Sequence, residues 1–150
     1  SQIRQNVIFK HLELRSTKLL QIILDFYKKF YESEDFCKNT EILDMMENCQ
    51  VIESKIKVLS LLLTPDEDLG MIIPYYHDVN NTFLDIHSEI LQLVNTIIIN
   101  KGMVLSYHSR FKYVSKFFKD FDNHYRYFKE SLDQLYTEEI GSNNPLNYKI

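Results

Sequence analysis

The sequence is short of the residues that form tight turns and cross-links. Its 150 residues include only three glycines, three prolines, two cysteines and no tryptophan. Glycine and proline form most hairpin turns, and glycine forms the loops that bind phosphate groups, so their scarcity argues against β-sandwiches and nucleotide-binding folds. No Walker loop, nucleophile elbow or dinucleotide-binding fingerprint occurs. The composition therefore favours an all-α protein.

The two cysteines, Cys37 and Cys49, are too few for a disulfide framework or a zinc knuckle. On one helix they would lie about 18 Å apart, well beyond the roughly 4.4 to 6.8 Å Cα separation that a disulfide tolerates. No apolar run reaches the roughly 20 residues needed to span a bilayer, and no signal peptide is recognisable. The sequence predicts an intracellular domain outside the membrane, and its start at Ser1 suggests either a segment excised from a larger protein or the remnant of a tag.

Apolar residues recur at alternating steps of three and four along most of the chain. This spacing places them on one stripe of a helix, and such a stripe must be buried against neighbouring helices. Each stripe is bounded by polar or turn-forming residues, so four long helices are expected. The predicted helices are Gln2–Tyr31, Thr40–Leu63, a third whose apolar face runs from Tyr76 to Ile98, and Met103–Glu139.

A short additional helix is predicted before the third long one. Thr64 and Pro65 form a strong helix-start signal, because threonine caps the first turn and proline suits the first helical position. Pro74 then interrupts the helix and predicts a restart, which limits the short helix to Pro65–Met71. The predicted architecture is an antiparallel up-and-down four-helix bundle over residues 1–140. Residues 141–150 form a C-terminal tail that could dock on the bundle.

Few acidic and imidazole groups lie at spacings that support catalysis. None of the five histidines has Glu or Asp three positions earlier, as a di-iron carboxylate bundle would require. Asp120 and His124, the His77-Asp78 pair and the stretch 85–89 are the groupings that could transfer a proton. A solvated pair on the helix surface is the ordinary explanation for Asp120 and His124. The sequence therefore predicts no enzyme, no metal and no cofactor.

The predicted fourth helix carries an outward basic stripe interleaved with tyrosines. Between Lys101 and Lys129, seven Lys and Arg residues face only Asp120 and Asp122. Such a stripe can bind RNA, a phosphorylated segment or an acidic peptide, although any soluble bundle also places charge on its outer side. The predicted basic stripe consists of His108, Lys112, Lys116, Lys119 and Arg126.

Aromatic residues outside the predicted stripe make the fourth helix apolar over more than one side. Either the C-terminal tail with Leu146 and Tyr148 covers this surface, or the surface binds another protein or a second copy of the chain. Tyrosine and arginine are enriched among the residues that dominate binding energies at interfaces. The candidate contact residues are Tyr113, Phe117, Arg126, Tyr127 and Tyr136.

We expect a non-catalytic scaffold or adaptor domain that binds a helical or extended segment of another protein, with a homodimer as a further option. A first alternative is a bundle that binds RNA or a phosphorylated ligand through the basic stripe. The net charge of −4 makes nucleic acid the weaker partner. A second alternative is a secreted four-helix ligand resembling a cytokine, because Asn80-Asn81-Thr82 matches the glycosylation sequon.

Overall fold

The computed structural model describes residues 2–29, 43–63, 72–101 and 112–142. These residues form helices and no strand, and the helices pack together as a bundle. The all-α class that the composition predicts is therefore confirmed for this part of the chain. The helices are α1 (Gln2–Tyr27), α2 (Leu43–Leu62), α3 (Ile72–Lys101) and α4 (Lys112–Ser142).

The helix ends refine the predicted boundaries. Pro74 is the third residue of α3, where its missing N–H would lack a helical partner anyway, so the proline is accommodated without breaking the helix. α4 continues through Gly141 to Ser142, three residues past the predicted helix end at Glu139. The predicted short helix Pro65–Met71 and the rest of the tail, residues 143–150, lie outside the described residues.

α1 lies along α4, and the contacts between them extend over much of their length. The rings of Phe26 and Phe117 are 4.7 Å apart between centroids. Farther along the pair, the guanidinium of Arg15 donates a hydrogen bond of 2.7 Å to the backbone carbonyl of Tyr127. It also donates to the hydroxyl of Ser131. These contacts join the two helices through both apolar and polar groups.

α2 lies along α3 in a second close pair. The Asn48 side-chain amide donates a hydrogen bond of 3.0 Å to the carboxylate of Glu89. The Tyr75 hydroxyl donates to the backbone carbonyl of Leu62. Asn48 is buried, so its bond to Glu89 provides a partner for a polar group that would otherwise be costly to enclose.

The apolar stripes of all four helices meet in one core. The rings of Phe83 and Phe128 pack edge to face, with centroids 5.3 Å apart. Beside them, the Tyr125 hydroxyl donates a hydrogen bond of 2.7 Å to the side-chain oxygen of buried Asn80. The stripe predicted at steps of three and four along the third helix is buried, whereas Leu84 and Leu91, which the sequence predicts at the edge of the same apolar face, are exposed. Its buried members are Tyr76, Val79, Phe83, Ile86, Ile90, Leu93 and Ile97.

α4 buries a wider arc than one stripe. Phe117, which the sequence predicts outside the stripe, is only 3% exposed, whereas Phe118, which the sequence predicts within it, is partly buried. Phe26 of α1 covers Phe117, and the ring of His87 on α3 contacts Phe118 from the other side. A helix that packs against two neighbours buries more than one stripe. Phe117 is therefore a core residue, and its predicted place on the exposed surface is wrong.

Candidate functional site

Most of the predicted site residues lie on the outward side of the α1/α4 pair. Tyr113 and Tyr127 are fourteen residues apart on α4, which is close to four helical turns, so both occupy the same side of the helix. The neighbouring stretch begins at Arg15 on α1 and ends at Lys29, because a π-helical turn at residues 28–29 extends α1 beyond Tyr27. We call the outward side formed by residues 15–29 and 112–127 the basic face.

The basic face has a charge opposite in sign to that of the whole chain. Its two segments contain eight Lys or Arg residues and three Asp residues, whereas the chain as a whole has a net charge of −4. Charges of one sign that are gathered on one side of a protein create a local potential that attracts ligands of the opposite sign. The basic face is therefore suited to an anionic partner despite the acidic composition.

The exposed Tyr127 ring lies between two arginines that come from different helices. The guanidinium carbon of Arg15 on α1 is 5.6 Å from the ring centroid, and that of Arg126 on α4 is 5.4 Å from it. These distances allow cation–π attraction. Arg15 is held in place because it also bonds to the Tyr127 carbonyl and to Ser131. The ring of His124 packs beside that of Tyr127, with the two ring centroids 6.3 Å apart.

Tyr113 repeats this arrangement at the other end of the basic face. The Lys29 ammonium nitrogen on α1 is 5.6 Å from the ring centroid, and that of Lys112 on α4 is 5.3 Å from it. Each of the two tyrosines therefore has one cation from α1 and one from α4 over its ring. An aromatic ring flanked by cations offers both apolar contact area and positive charge to a partner.

An open hollow of about 180 Å³ lies in the basic face between α1 and α4. In it, the Lys116 ammonium lies 2.5 Å from the Asp120 carboxylate, and this hydrogen bond raises the pKa of the lysine. Asp120 thus pairs with Lys116, while His124 packs against Tyr127, so the two are not arranged as an acid–base pair. The polar walls of the hollow include Lys18, Asp25, Lys29, Tyr113, Lys116 and His124.

The structure gathers some of the predicted site residues and separates others. Tyr136 follows Tyr127 by nine residues, or two and a half turns, so it lies on the opposite side of α4 and packs against the core. Burial raises the pKa of Tyr136. Lys119 is exposed, and His108 lies outside the described residues. The predicted residues that the basic face brings together are Lys112, Tyr113, Lys116, Arg126 and Tyr127.

The apolar periodicity of the sequence does not reveal that α1 contributes to this site. Arg15, Lys18 and Lys29 supply the cations that complete the arrangement on α4. The sequence does contain an excess of basic residues in this segment, because residues 15–29 include four Lys or Arg residues and a single Asp. Periodicity alone does not identify which two helices are neighbours, so this segment could not be assigned to the same face from the sequence.

The acidic and imidazole groups of the stretch 85–89 on α3 do not converge on a common centre. Asp85, His87 and Glu89 each have a separate partner on a neighbouring helix. The Asp85 carboxylate lies 3.3 Å from the Lys55 ammonium nitrogen, and His87 Nε2 lies 3.7 Å from the Asp122 carboxylate. The Glu89 carboxylate lies 3.0 Å from the side-chain nitrogen of Asn48. Within residues 2–29, 43–63, 72–101 and 112–142, no group of three or more His, Cys, Asp or Glu side chains is placed to hold a metal ion.

The chain has no significant match among protein-family models, curated proteins or solved structures. Over the four described ranges, no helix is both long enough and apolar enough to cross a membrane.

Proposed function

We propose that this protein is a non-catalytic interaction module whose basic face binds an acidic segment of a partner protein. The observation that carries the proposal is the repeated arrangement at Tyr113 and Tyr127, each with a cation from α1 and a cation from α4 over its ring. Tyrosine and arginine supply much of the binding energy at protein interfaces. Carboxylates of a partner would pair with the cations while its apolar side chains contact the rings.

The residues packed behind the basic face favour a preorganised binding surface. Phe26 and Phe117 pack against each other in the core between α1 and α4, directly behind the face. Arg15 is restrained by its bonds to α4. Residues that are already ordered lose less conformational entropy when a partner binds. A rigid scaffold or adaptor surface of this kind needs no rearrangement before it can bind.

We further infer that the four helices run up and down in alternation. Arg15 contacts Tyr127 while Phe26, farther along α1, contacts Phe117, which lies earlier on α4. The contacts between α2 and α3 run in opposite order along the two helices as well. Asn48 contacts Glu89, whereas Leu62, later on α2, contacts Tyr75, which lies earlier on α3. This topology would explain why two basic segments far apart in sequence become neighbours. An intracellular setting is part of the proposal, and the free thiol of Cys49 supports it.

The two alternative functions are less well supported by the same side chains. Each tyrosine on the basic face has two cations within 6 Å of its ring centroid, and these cations would compete with a stacking RNA base for the ring. In the sequon of the cytokine-like alternative, Asn80 is buried and bonded to Tyr125, which leaves its amide inaccessible to a glycan in the folded protein. We therefore favour a protein partner.

The proposal is tested by titrating the protein into a fluorescently labelled 26-residue peptide of alternating Glu and Ser, called here the Glu–Ser peptide. We expect binding that weakens as salt is added, because surface charge pairs are screened. Lys18→Glu combined with Lys112→Glu should lower the affinity at least about tenfold, since it reverses two charges on the basic face. Fluorescence anisotropy measures both changes.

The control variant combines Lys57→Glu with Lys129→Glu. Each of these lysines has an acidic partner four residues away on its own helix, Glu53 and Asp133 respectively, and neither belongs to the basic face. We expect the control to bind the Glu–Ser peptide with nearly unchanged affinity. Equal losses in both variants, or no binding by the unaltered protein, would contradict the proposal. Preferential binding of a single-stranded RNA of 26 nucleotides would replace it with the RNA alternative.

A further inference from the structure

A second feature of the α1/α4 side is a stripe of exposed apolar residues on α1. Ile3, Val7 and Leu14 are 78%, 50% and 69% exposed. Their separations of four and seven residues place them on one side of the helix, roughly 16 Å from end to end. We call these three residues the apolar stripe. It lies on the solvent side of α1, separate from the core stripe that contains Leu12 and Leu19.

Cations surround the apolar stripe. Between Ile3 and Lys18, α1 carries four Lys or Arg residues and one acidic residue, Glu13. A partner that covers the stripe must therefore supply apolar side chains and carboxylates side by side. The four cations are Arg4, Lys10, Arg15 and Lys18.

The apolar stripe also adjoins the groove between α1 and α4. Val7 lines an open hollow of about 470 Å³ between the two helices. Its other walls are Arg4, Ile8 and His11 of α1 and Asp133, Gln134 and Thr137 of α4. At its other end, Leu14 precedes Arg15, which contacts Tyr127 on the basic face. The apolar stripe and the basic face therefore lie one after the other along one side of the α1/α4 pair.

We propose that the partner segment is an acidic amphipathic helix that lies along α1. Its apolar residues, spaced three and four apart, would cover the apolar stripe, and its flanking carboxylates would pair with the cations beside it. The spacing of the stripe, which matches that of a facing helix, favours a helical occupant, and the excess of cations along the same stretch of α1 favours an acidic one. Ile3 to Lys29 spans about 39 Å, so a helix of about 26 residues would reach both surfaces.

This inference rests on the proposed function, because the acidic end of the same helix would occupy the basic face. The test compares the Glu–Ser peptide with a Leu–Glu peptide that has the same length and the same number of glutamates, in which leucines recur at steps of three and four and serines fill the remaining positions. We expect the Leu–Glu peptide to bind at least about tenfold more tightly, with a rise in helical circular dichroism on binding. Fluorescence anisotropy gives the two affinities.

Two protein variants test whether the apolar stripe is the cause of the higher affinity for the Leu–Glu peptide. Val7→Gln combined with Leu14→Gln should abolish the advantage of the Leu–Glu peptide while leaving the affinity for the Glu–Ser peptide unchanged. The matched control is Val58→Gln combined with Leu61→Gln on α2, whose side chains are similarly exposed at 48% and 75%. We expect the control to retain the advantage. Unchanged thermal unfolding of each variant establishes that the fold is intact.

The outcomes separate this inference from the proposed function. Equal affinities of the unaltered protein for the two peptides would overturn the inference and leave the proposed function standing. Loss of the advantage in the α2 control as well as in the α1 variant would also overturn it, because leucine would then bind apolar surface without selectivity. Failure of both peptides to bind would overturn the proposed function together with the inference.

Discussion

Two buried serines differ in what their hydroxyl groups contact. Ser16 on α1 and Ser131 on α4 are both fully buried. Ser131 accepts a hydrogen bond from Arg15, whereas the Ser16 hydroxyl has no hydrogen-bond partner among the described residues. A buried polar group without a partner typically costs about 1 to 3 kcal/mol. Ser16 therefore lowers the stability of the bundle, although its small size suits the packed stripe on which it lies.

Ser16→Ala should raise the free energy of unfolding by about 1 to 2 kcal/mol. Alanine removes the unpaired hydroxyl and has the higher helix propensity. Urea unfolding followed by circular dichroism measures the gain. Ser131→Ala is the matched control, because it removes an equally buried hydroxyl that does have a partner, and we expect it to lower stability. If the Ser16→Ala variant is no more stable than the unaltered protein, the Ser16 hydroxyl does not lower the stability of the bundle.

At the scale of single helices, α4 shows how two neighbours determine what one helix buries. Phe117 and Phe118 are adjacent in sequence, and only Phe117 is enclosed, because Phe26 of α1 packs against it. A heptad stripe drifts by about 20° per heptad on a straight α-helix, so the buried side does not follow one strict repeat. Phe118 instead lies at the edge of the core beside His87.

This difference predicts unequal effects of two alanine substitutions on α4. Phe117→Ala should lower the free energy of unfolding by about 3 to 5 kcal/mol, the usual cost of removing an enclosed phenyl ring. Phe118→Ala should cost distinctly less, because part of its ring already contacts solvent. Chemical denaturation of both variants under the same conditions gives the comparison. Equal losses, or a larger loss for Phe118→Ala, would show that the heptad stripe describes the core better.

At the scale of the whole molecule, tyrosines from two helices respond to alkaline pH in the same direction. Burial is the main cause that raises the pKa of Tyr76, Tyr125 and Tyr136 above the ordinary value near 10. A raised pKa in the folded state means that the unfolded chain loses these protons first. The stability that the neutral hydroxyls contribute is complete below about pH 10 and is lost as pH rises through the folded-state values.

We expect the free energy of unfolding to fall above about pH 10, with Tyr76 making the largest contribution because its pKa is raised most clearly. Urea titrations between pH 8 and pH 12 measure the decline. Tyr76→Phe removes the ionisable hydroxyl and should make the decline shallower. The same slope in Tyr76→Phe and in the unaltered protein would exclude Tyr76 as a source of alkaline sensitivity.

The sequence by itself determined the helices and the inward side of α3. Scarce glycine and proline, together with apolar residues three and four apart, are local properties that depend only on residues close in the chain. For this reason every predicted stripe residue from Tyr76 to Ile97 is buried. The choice of Tyr113, Arg126 and Tyr127 on α4 as contact residues stays a prediction.

Only the tertiary structure decided which helices are neighbours, and the basic face depends on that choice. Arg15 and Lys29 reach the two tyrosines because α1 packs along α4. The same pairing moves Phe117 from the predicted surface into the core. Periodicity reveals which side of a helix is apolar, but the neighbour that covers this side is selected by packing between residues far apart in sequence.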